Sequence, residues 1–505
     1  MEECSLSEDV SQVDKPSFFS KFLSIFKKGN AGERTKLIEQ VDDDQLKSFS
    51  INEDHFFNPR KKHVESVSEE VKRKRKRKHV SDTVLFPRKT NLFFSVFNLI
   101  NDILSPGTLS MGQMISQSGL WMALVNVCFF GIITSFTLII LYELSRKHLK
   151  TSLPSLAEKA FGKPGNVATC IFIFLFNFGG ACGMYIMFGD VLGDLLLYLF
   201  NDVPNMFISR TAILIYLTVF LIPVAMMKNL SSFAFTSFIS VSSVLIITGM
   251  IIFELALGRR FVPYPNDAFY FAHDQYLSAL GGLSFIFVCH DIVFHVFGDM
   301  KRPTRRRFYT VVFIVVGLTI STIFAIGISS YLLFWDKNLK DGNILDLLPR
   351  RYALAIIARI LLLIDICLSI PYALFMPRDG IKIITEAIVP NIYKRIDSHK
   401  VRREIFHVLV TLFLVLAAMG IALSVTDLGI VSDLFGGVSA SSLAYIIPPL
   451  LFLKLESFSE CKQSRGGFIR GLAKFGCIFV LLIGISIFGS SIFSVIYYGF
   501  IKKEA

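Results

Sequence analysis

The chain has 505 residues, 53% of them apolar, and a formal net charge of +12. This apolar content is too high for an ordinary water-soluble protein of its length, so the composition indicates a membrane protein. Lysine and arginine are concentrated in the polar segments between the apolar runs, as in the loops of a membrane protein. This distribution argues against a nucleic-acid partner and makes the lipid bilayer the expected surroundings.

Residues 1–88 differ in composition from the rest of the chain and are predicted to form a separate cytoplasmic arm. They mix acidic, basic and serine residues and contain an unbroken basic run from Lys72 to Lys78. The charges of such a run repel one another, which favours a disordered arm near anionic lipid headgroups. A role for this arm in partner binding or regulation stays open.

Residues 89–505 are predicted to form an all-α polytopic membrane domain with eleven transmembrane helices. Each apolar run is long enough to cross a bilayer, which takes about 20 residues as a helix. Uniformly apolar runs of this length favour helices over the alternating strands of a barrel. The predicted spans are residues 91–117, 119–142, 166–200, 209–227, 232–257, 278–298, 308–335, 352–376, 404–426, 430–453 and 473–500.

Basic residues in the loops predict the orientation of these spans. If the N-terminus is cytoplasmic, most loop lysines and arginines fall on the cytoplasmic side, where positively charged loops are usually found. An odd number of spans then places the C-terminus on the extracellular or luminal side.

The first span contains a helix-breaking sequence, Ser105-Pro106-Gly107. Proline lacks an N–H group and glycine permits unusual backbone angles, so two half-helices are predicted, one ending near Leu104 and one starting near Thr108. Irregular backbone at this depth is tolerated where it lines a cavity. The amides of the second half suit a carboxylate, and the carbonyls of the first suit a cation. A simple proline kink is the alternative.

The sixth span is also expected to be interrupted. Gly281-Gly282 is predicted to break its start, and Cys289, His290 and Asp291 place polar groups in its middle. Paired interruptions in corresponding spans of two inverted repeats are the best sequence indication of a transporter binding site.

Charged and titratable residues inside the spans are functional candidates, because they are costly in lipid. Asp102, beside the first break, suits a bound cation, a proton or the amine of a substrate side chain, and pairing with a helix end is the alternative. Arg359 is expected to extend outward and Asp365 to point toward the cavity. His290 and His295 suit either proton transfer or a hydrogen-bonding role in the core.

Four sequence blocks resemble the amino acid/auxin permease family, which includes sodium-coupled neutral amino acid transporters and vacuolar amino acid transporters. The blocks are SVFNLINDILSPGTLSMGQMISQSG at 95–119, FIFVCHDIVFHVFGDMKRPTRRR at 285–307, LSIPYALFMPR at 368–378 and TDLGIVSDLFGGVSASSLAYIIPPLLFLK at 426–454. They occur in the order that the family has, and the resemblance covers residues 90–500.

The resemblance implies a leucine-transporter-like fold, which is a 5+5 inverted repeat with broken helices 1 and 6. It implies transport of amino acids by alternating access, coupled to Na⁺ or H⁺, with a small-molecule amino acid as the bound partner. It also implies that backbone around the first break meets the substrate. The expected substrate-binding residues are Asn98, Asp102, Ser105, Pro106, Gly107, Thr108, Cys289 and His290.

The expected ion-coupling residues are Asn101, Ser369 and Asp365. Asn101 and Ser369 match the positions at which the resemblance implies a sodium site, and Na⁺ there is the only metal expected. No other cofactor is expected. Ser105-Pro106-Gly107 replaces the family's usual Gly-Ser-Gly break and Cys367 replaces a frequent hydroxyl. Coupling to Na⁺ and coupling to H⁺ therefore both stay open.

We interpret the chain as a secondary active amino acid transporter of the plasma membrane or of a vacuolar or endolysosomal membrane. Two alternatives stay open, an amino acid sensor that signals through the N-terminal arm and an organellar exporter of cationic amino acids. An enzyme is not expected, because the sequence presents no nucleophile–base pair, paired catalytic carboxylates or metal cage. The oligomeric state is not predicted.

Overall fold

The structure is a computed structural model in which the chain divides into two units, Met1–Thr83 and Val84–Ala505. The predicted N-terminal arm lies outside the described residues. The structure describes residues 90–104, 106–199, 205–227, 234–258, 269–273, 276–301, 303–334, 344–348, 352–389, 391–392, 396, 399–425, 435, 437–456 and 466–496.

The second unit consists of α-helices in the part of the chain that is described, with one isolated β-bridge between Thr90 and Met300. The helices, in chain order, are α1 Leu92–Ile103, α2 Met111–Ser118, α3 Leu120–His148, α4 Leu153–Leu199, α5 Asn205–Ile208, α6 Arg210–Ala225, α7 Ala234–Ala256, α8 Tyr276–Phe285, α9 Val293–Asp299, α10 Arg305–Phe334, α11 Ala353–Ala373, α12 Phe375–Ile388, α13 Lys400–Ser424, α14 Val438–Ser441, α15 Ile447–Glu456 and α16 Gly466–Ile496. A turn of π-helix, Ser442–Ile446, joins α14 to α15.

Eight segments in the described part of the chain are long and apolar enough to cross a membrane. They are Leu120–His148, Leu153–Leu199, Phe235–Ala256, Arg305–Phe334, Ala353–Ile388, Lys400–Ser424, Val438–Glu456 and Gly471–Phe493. The bent pair α1–α2 adds a ninth. The shorter helix α6 and the pair α8–α9 coincide with predicted spans 4 and 6. The predicted all-α membrane fold is therefore confirmed, while the count of eleven spans stays a prediction.

Helix α4 is longer than predicted span 3 because a second helical segment precedes the span. The two segments join at Gly162, whose φ of 73° lies in the left-handed region that a residue with a side chain rarely adopts. Pro164 follows two residues later and removes one backbone donor. The apolar run that begins at residue 166 thus starts just after a bend in the backbone.

Helices α1, α4, α7, α10 and α11 form one connected set of packed helices in the membrane domain. Helix α7 packs against α1, α10 and α11, and α4 packs against α11 and α12. Three tyrosines, Tyr185, Tyr331 and Tyr445, are among the largest side chains that are fully buried. The Tyr445 hydroxyl donates to the Ser284 carbonyl at 2.7 Å, which ties the π-helical turn to α8.

One end of the domain, which we call the basic end, holds Arg146 and Lys147 in the last turn of α3 and Arg305 at the start of α10. Here the N–H of Thr90 donates to Asp299 O at 3.0 Å, and the N–H of Lys301 donates to Thr90 O at 2.8 Å. These bonds join the start of α1 to the end of α9.

A second set of contacts at the basic end joins α3 to α10. Arg305 Nε lies 2.7 Å from Glu143 Oε1, and the Tyr309 hydroxyl donates to the same carboxylate oxygen at 2.6 Å. At the basic end, α1 is therefore joined to α9, and α3 is joined to α10. We call the segments α1–α3 and α8–α10 the bundle.

Candidate functional site

The first predicted break is present. Helix α1 ends at Ile103, a turn of 3₁₀-helix covers Pro106–Ser110, and α2 begins at Met111. The helical pieces on the two sides of the break are bent by 52° relative to each other. Pro106 has no N–H with which to continue the α-helical hydrogen-bond pattern, which accounts for the position of the break.

The predicted substrate-binding residues at this break are described to different extents. Asn98 and Thr108 are buried, at 2% and 1% exposure. Asp102 is half-buried, and its Oδ2 atom is shielded from solvent. Ser105 lies outside the described residues, and only the backbone of Pro106 and Gly107 is described. Their contact with substrate stays a prediction.

The sixth span is also broken, but the break lies after Gly281-Gly282 and does not coincide with them. The two glycines lie inside α8, and the chain leaves the helix only at Ile286–Ile292. A Cβ atom on Gly282 would lie 2.6 Å from Met114 Cε, so this glycine permits close packing of α8 on α2. The prediction that the glycine pair itself interrupts the helix is wrong.

The non-helical segment of the sixth span brings Cys289, His290 and Asp291 into the core. Their side chains are 0%, 0% and 2% exposed. The carboxyl group of Asp291 interacts directly with that of Asp102 on α1. Asn177 on α4 donates its Nδ2 to Asp291 Oδ2 at 2.6 Å. The two breaks therefore meet through a pair of carboxyl groups.

Tyr372 on α11 lies beside this carboxyl pair. Its hydroxyl donates to the Asn98 carbonyl at 2.8 Å, and its side chain is 3% exposed. It is within electrostatic range of Asp102, Asp291 and Cys289. The hydroxyl group of Tyr372 thus contacts the backbone of the predicted substrate-binding residue Asn98.

Three residues of this site, Asn177, Asp291 and Tyr372, were absent from the predicted substrate-binding set. Asn177 lies in a run of apolar residues, and a polar residue mid-span was the available signal. Tyr372 lies in the block at 368–378, and Asp291 in the block at 285–307. Their roles depend on contacts with distant segments, which neither block specifies.

The substitution Tyr372→Phe is expected to lower substrate affinity by roughly tenfold. It removes a buried hydrogen bond that holds α1 against α11 just before the first break, and such a bond contributes about 0.5–1.5 kcal/mol, the upper end of which is tenfold in an equilibrium constant. Binding of radiolabelled amino acid to purified protein measures the effect. Tyr185→Phe is the matched control, because that buried hydroxyl contacts Thr218 instead. Equal affinities of the two variants would contradict the prediction.

The predicted ion-coupling residues Asp365 and Ser369 lie side by side on α11. Ser369 Oγ donates to Asp365 Oδ1 at 3.3 Å, and Ser240 on α7 donates to the same oxygen. The two serine hydroxyls are 3.1 Å apart. Asn101, the third predicted member, is 5% exposed on α1, which packs against α7.

This serine–aspartate cluster is shielded from solvent. Ser240, Asp365 and Ser369 are 1%, 1% and 3% exposed. Asp365 Oδ2 has no hydrogen-bond partner among the described residues. An unpaired carboxylate oxygen beside two hydroxyls offers oxygen ligands suited to a small cation. The ion-coupling role of these residues stays a prediction.

His290 contacts α3, where its Nε2 lies 2.8 Å from Thr137 Oγ1. The ring of His295 makes an edge contact with Phe375, with centroids 6.2 Å apart. These contacts match the hydrogen-bonding and packing alternative for both residues. A proton-transfer role for either one stays a prediction.

Arg359 does not extend outward as expected. It is 2% exposed, and its Nη2 donates to Leu345 O at 2.8 Å and to Leu348 O at 3.4 Å. These carbonyls belong to a short 3₁₀ segment, Ile344–Leu347, and the residue after it. The segment packs against the turn Pro106–Ser110, so the guanidinium group anchors a loop beside the first break.

An all-helical membrane domain with two broken helices that meet in its core defines a membrane transporter with a leucine-transporter-like fold. The family model described as "Transmembrane amino acid transporter protein" matches residues 88–496. The chain belongs to this family, so the predicted resemblance is confirmed and the protein is a multi-pass membrane protein of an amino acid transporter family.

Two relatives of this chain are amino acid transporters with different names. The chain is 26% identical over 388 residues to vacuolar amino acid transporter 2 of Saccharomyces cerevisiae, covering 75% of this chain and 79% of that protein. It is 27% identical over 373 residues to putative sodium-coupled neutral amino acid transporter 11 of Rattus norvegicus, covering 73% and 79%. Both names describe amino acid transporters rather than enzymes.

A solved structure supports the fold assignment. A Na⁺-coupled sialic acid symporter in a substrate-bound outward-open state matches with a TM-score of 0.50 at 14% identity. The match covers 81% of this chain and 91% of that chain. At this identity the likeness shows the shared fold alone.

Proposed function

We propose that this chain is a secondary active transporter that moves amino acids by alternating access, driven by a gradient of Na⁺ or H⁺. The observation that carries the proposal is the meeting of two broken helices in the core of the domain. Broken helices leave backbone amides and carbonyls for a ligand to complete at membrane depth, where water is excluded.

The substrate is proposed to bind between the two breaks. Its carboxylate is proposed to contact backbone N–H groups of Ser105, Gly107 and Thr108, beside Pro106, which has no N–H of its own, at the positive end of the second half-helix. Its amine contacts carbonyls of the α1 end and of the segment Ile286–Ile292. Shielding of the surrounding side chains supports this placement, because it strengthens contacts to a charged ligand.

The coupling cation is proposed to bind at Asp365, Ser369 and Ser240, with Asn101 from α1 as a further ligand. The unpaired Asp365 Oδ2 and the two adjacent hydroxyls support this assignment. Since α7 packs against both α1 and α11, occupancy of the cluster would stabilise one position of α1. Binding of the cation would then be coupled to the geometry of the first break.

Alternating access is proposed to occur by movement of the bundle against the remaining helices. The contacts of Thr90 with Asp299 and of Glu143 with Arg305 lie within the bundle and support its movement as one body. The contact of Lys147 with Glu456 joins α3 to α15 and crosses the boundary. Separation at this contact would open the basic end.

The carboxyl pair Asp102–Asp291 favours the variant in which the substrate is a cationic amino acid, which is developed below. The sensor alternative depends on the N-terminal arm, which lies outside the described residues. The name of the yeast relative supports residence in an organelle membrane, with the plasma membrane as the alternative.

Uptake into liposomes tests the proposed function. Purified full-length protein is reconstituted, and uptake of each of the twenty amino acids is measured under separate Na⁺ and H⁺ gradients. We expect accumulation of a subset of amino acids under one of the gradients. Binding of amino acid without appreciable flux would contradict transport and favour the sensor.

A further inference from the structure

The carboxyl groups of Asp102 and Asp291 meet in a region of negative potential. Asp102 lies in the last turn of α1, where the helix dipole is negative, and Asp291 lies in the non-helical part of the sixth span. The two groups interact directly. Adjacent carboxylates in a shielded position repel each other strongly, so they are not both ionised without a cation.

The described residues supply no cation for this pair. Asn177, the hydrogen-bond donor to Asp291, is neutral. Tyr372 and Cys289 are the other titratable groups within electrostatic range. No lysine or arginine in the described part of the chain forms an ion pair with either carboxyl group. A proton shared between the two carboxyl groups removes one of their charges, and a cationic ligand is the other source of compensation.

Three of the unpaired atoms around the pair are oxygens that can accept hydrogen bonds. Asp102 Oδ2, Asp291 Oδ1 and Asn98 Oδ1 are shielded, and among the described residues they have no hydrogen-bond partner other than the contact between the two carboxyl groups themselves. Asn98 is 2% exposed and lies one helical turn before Asp102, on the same face of α1. Three such acceptors suit a group with several N–H donors, such as an ammonium or a guanidinium.

We propose that Asp102 and Asp291 form a carboxyl pair that selects amino acids with a cationic side chain, with Asn98 as a third acceptor. The inference rests on the proposed function, because it names the substrate class of that site. A zwitterion whose carboxylate and amine are bound by backbone brings no net charge to the pair. The side chain of lysine or arginine supplies that charge together with the missing donors.

Comparison of L-arginine with L-citrulline, its neutral analogue of similar shape, tests the pair. Initial uptake of each, and of L-leucine, is measured in proteoliposomes of full-length protein. We expect arginine to exceed citrulline by at least about tenfold, which is the range for a hydrogen bond to a charged group. In Asp102→Asn and in Asp291→Asn the ratio falls to within about twofold of unity.

Two further variants separate selectivity from folding. Asn98→Ala keeps both charges and is expected to lower the arginine-to-citrulline ratio by about threefold. Asp190→Asn removes a half-exposed carboxylate of α4 that pairs with Arg210, and it should leave the ratio unchanged. Since each readout is a ratio within one variant, reduced amounts of folded protein do not alter it.

The outcomes distinguish this inference from the proposed function. A ratio near one in the unmodified protein, or an unchanged ratio in both aspartate variants, overturns the selectivity pair while uptake of other amino acids leaves transport intact. If Asp291→Asn lowers only the Na⁺ or H⁺ dependence of uptake, the pair holds the coupling cation and the inference is wrong. Absence of uptake for every amino acid overturns the proposed function itself.

Discussion

Replacing Asp365 with asparagine is expected to raise the concentration of the driving cation that amino acid uptake requires by roughly 100-fold or more. The carboxylate is 1% exposed, and its Oδ2 atom is unpaired among the described residues. Removing one partner of a buried charge interaction costs about 3–5 kcal/mol, which corresponds to a loss of cation affinity of roughly 100-fold or more. The half-saturating concentration of Na⁺ or H⁺ for uptake measures this loss.

The serines of the cluster should have smaller effects of the same kind. Ser240→Ala and Ser369→Ala each remove one oxygen next to Asp365 and are expected to weaken cation affinity by about tenfold. Ser243→Ala is the matched control, because Ser243 is also buried on α7 but its one hydrogen bond within the described part of the chain is to Ile239 O of the same helix, at 3.1 Å. That variant should stay within about twofold of the unmodified protein.

The order of these effects is the diagnostic result. If Asp365→Asn transports with an unchanged cation dependence, the cluster is a structural contact between α7 and α11, and the coupling site lies elsewhere. If Ser243→Ala weakens cation affinity as much as Ser240→Ala does, the losses reflect packing of α7 and not cation binding.

The helices and the first break follow from local properties of the sequence. A run of apolar residues is sufficient to predict a span, and Pro106 followed by Gly107 favours a break, because each acts through the chain next to it. The family resemblance depends on short blocks and is confirmed over residues 88–496. These features require no knowledge of which segments meet in space.

Which residues form the candidate site depends on which distant segments meet in the folded protein. Asn177 is 114 residues away from Asp291, and Ser240 is 125 residues away from Asp365. Nothing local distinguishes Ser240 from Ser243, which lies one turn away on the same helix. Packing of α7 against α11 decides which of the two serines reaches the carboxylate.

The two wrong expectations have the same origin. Gly282 was expected to break a helix, but the contact with Met114 explains its lack of a side chain. Arg359 was expected to extend outward, but carbonyls of a separate loop satisfy its guanidinium inside the protein. In both cases a contact with a distant part of the chain determines the conformation, and the local preference of the residue does not.

Cross-linking α3 to α15 at the basic end is expected to stop transport. Lys147 Nζ lies 2.5 Å from Glu456 Oε1, across the boundary between the bundle and the remaining helices. The pair is partly exposed and contributes only about 0–1 kcal/mol as an ion pair, so its loss alone should change uptake little. A covalent bridge at the same place would prevent the two helices from separating.

The test places Lys147→Cys and Glu456→Cys in a background in which the 8 native cysteines are replaced. Uptake is measured before treatment, after a short bifunctional thiol reagent, and after reduction. We expect uptake to fall to background on cross-linking and to recover on reduction, because alternating access requires both ends to open in turn.

A second cysteine pair provides the control within the bundle. Glu143 and Arg305 also form an ion pair at the basic end, at 2.7 Å, but they join α3 to α10. Cross-linking Glu143→Cys to Arg305→Cys should leave uptake within about twofold, since both helices are proposed to move together. Full uptake with α3 bonded to α15 would show that these helices need not separate, which would rule out the bundle movement proposed here. Inhibition by both bridges would instead place the moving boundary inside the bundle, between α3 and α10.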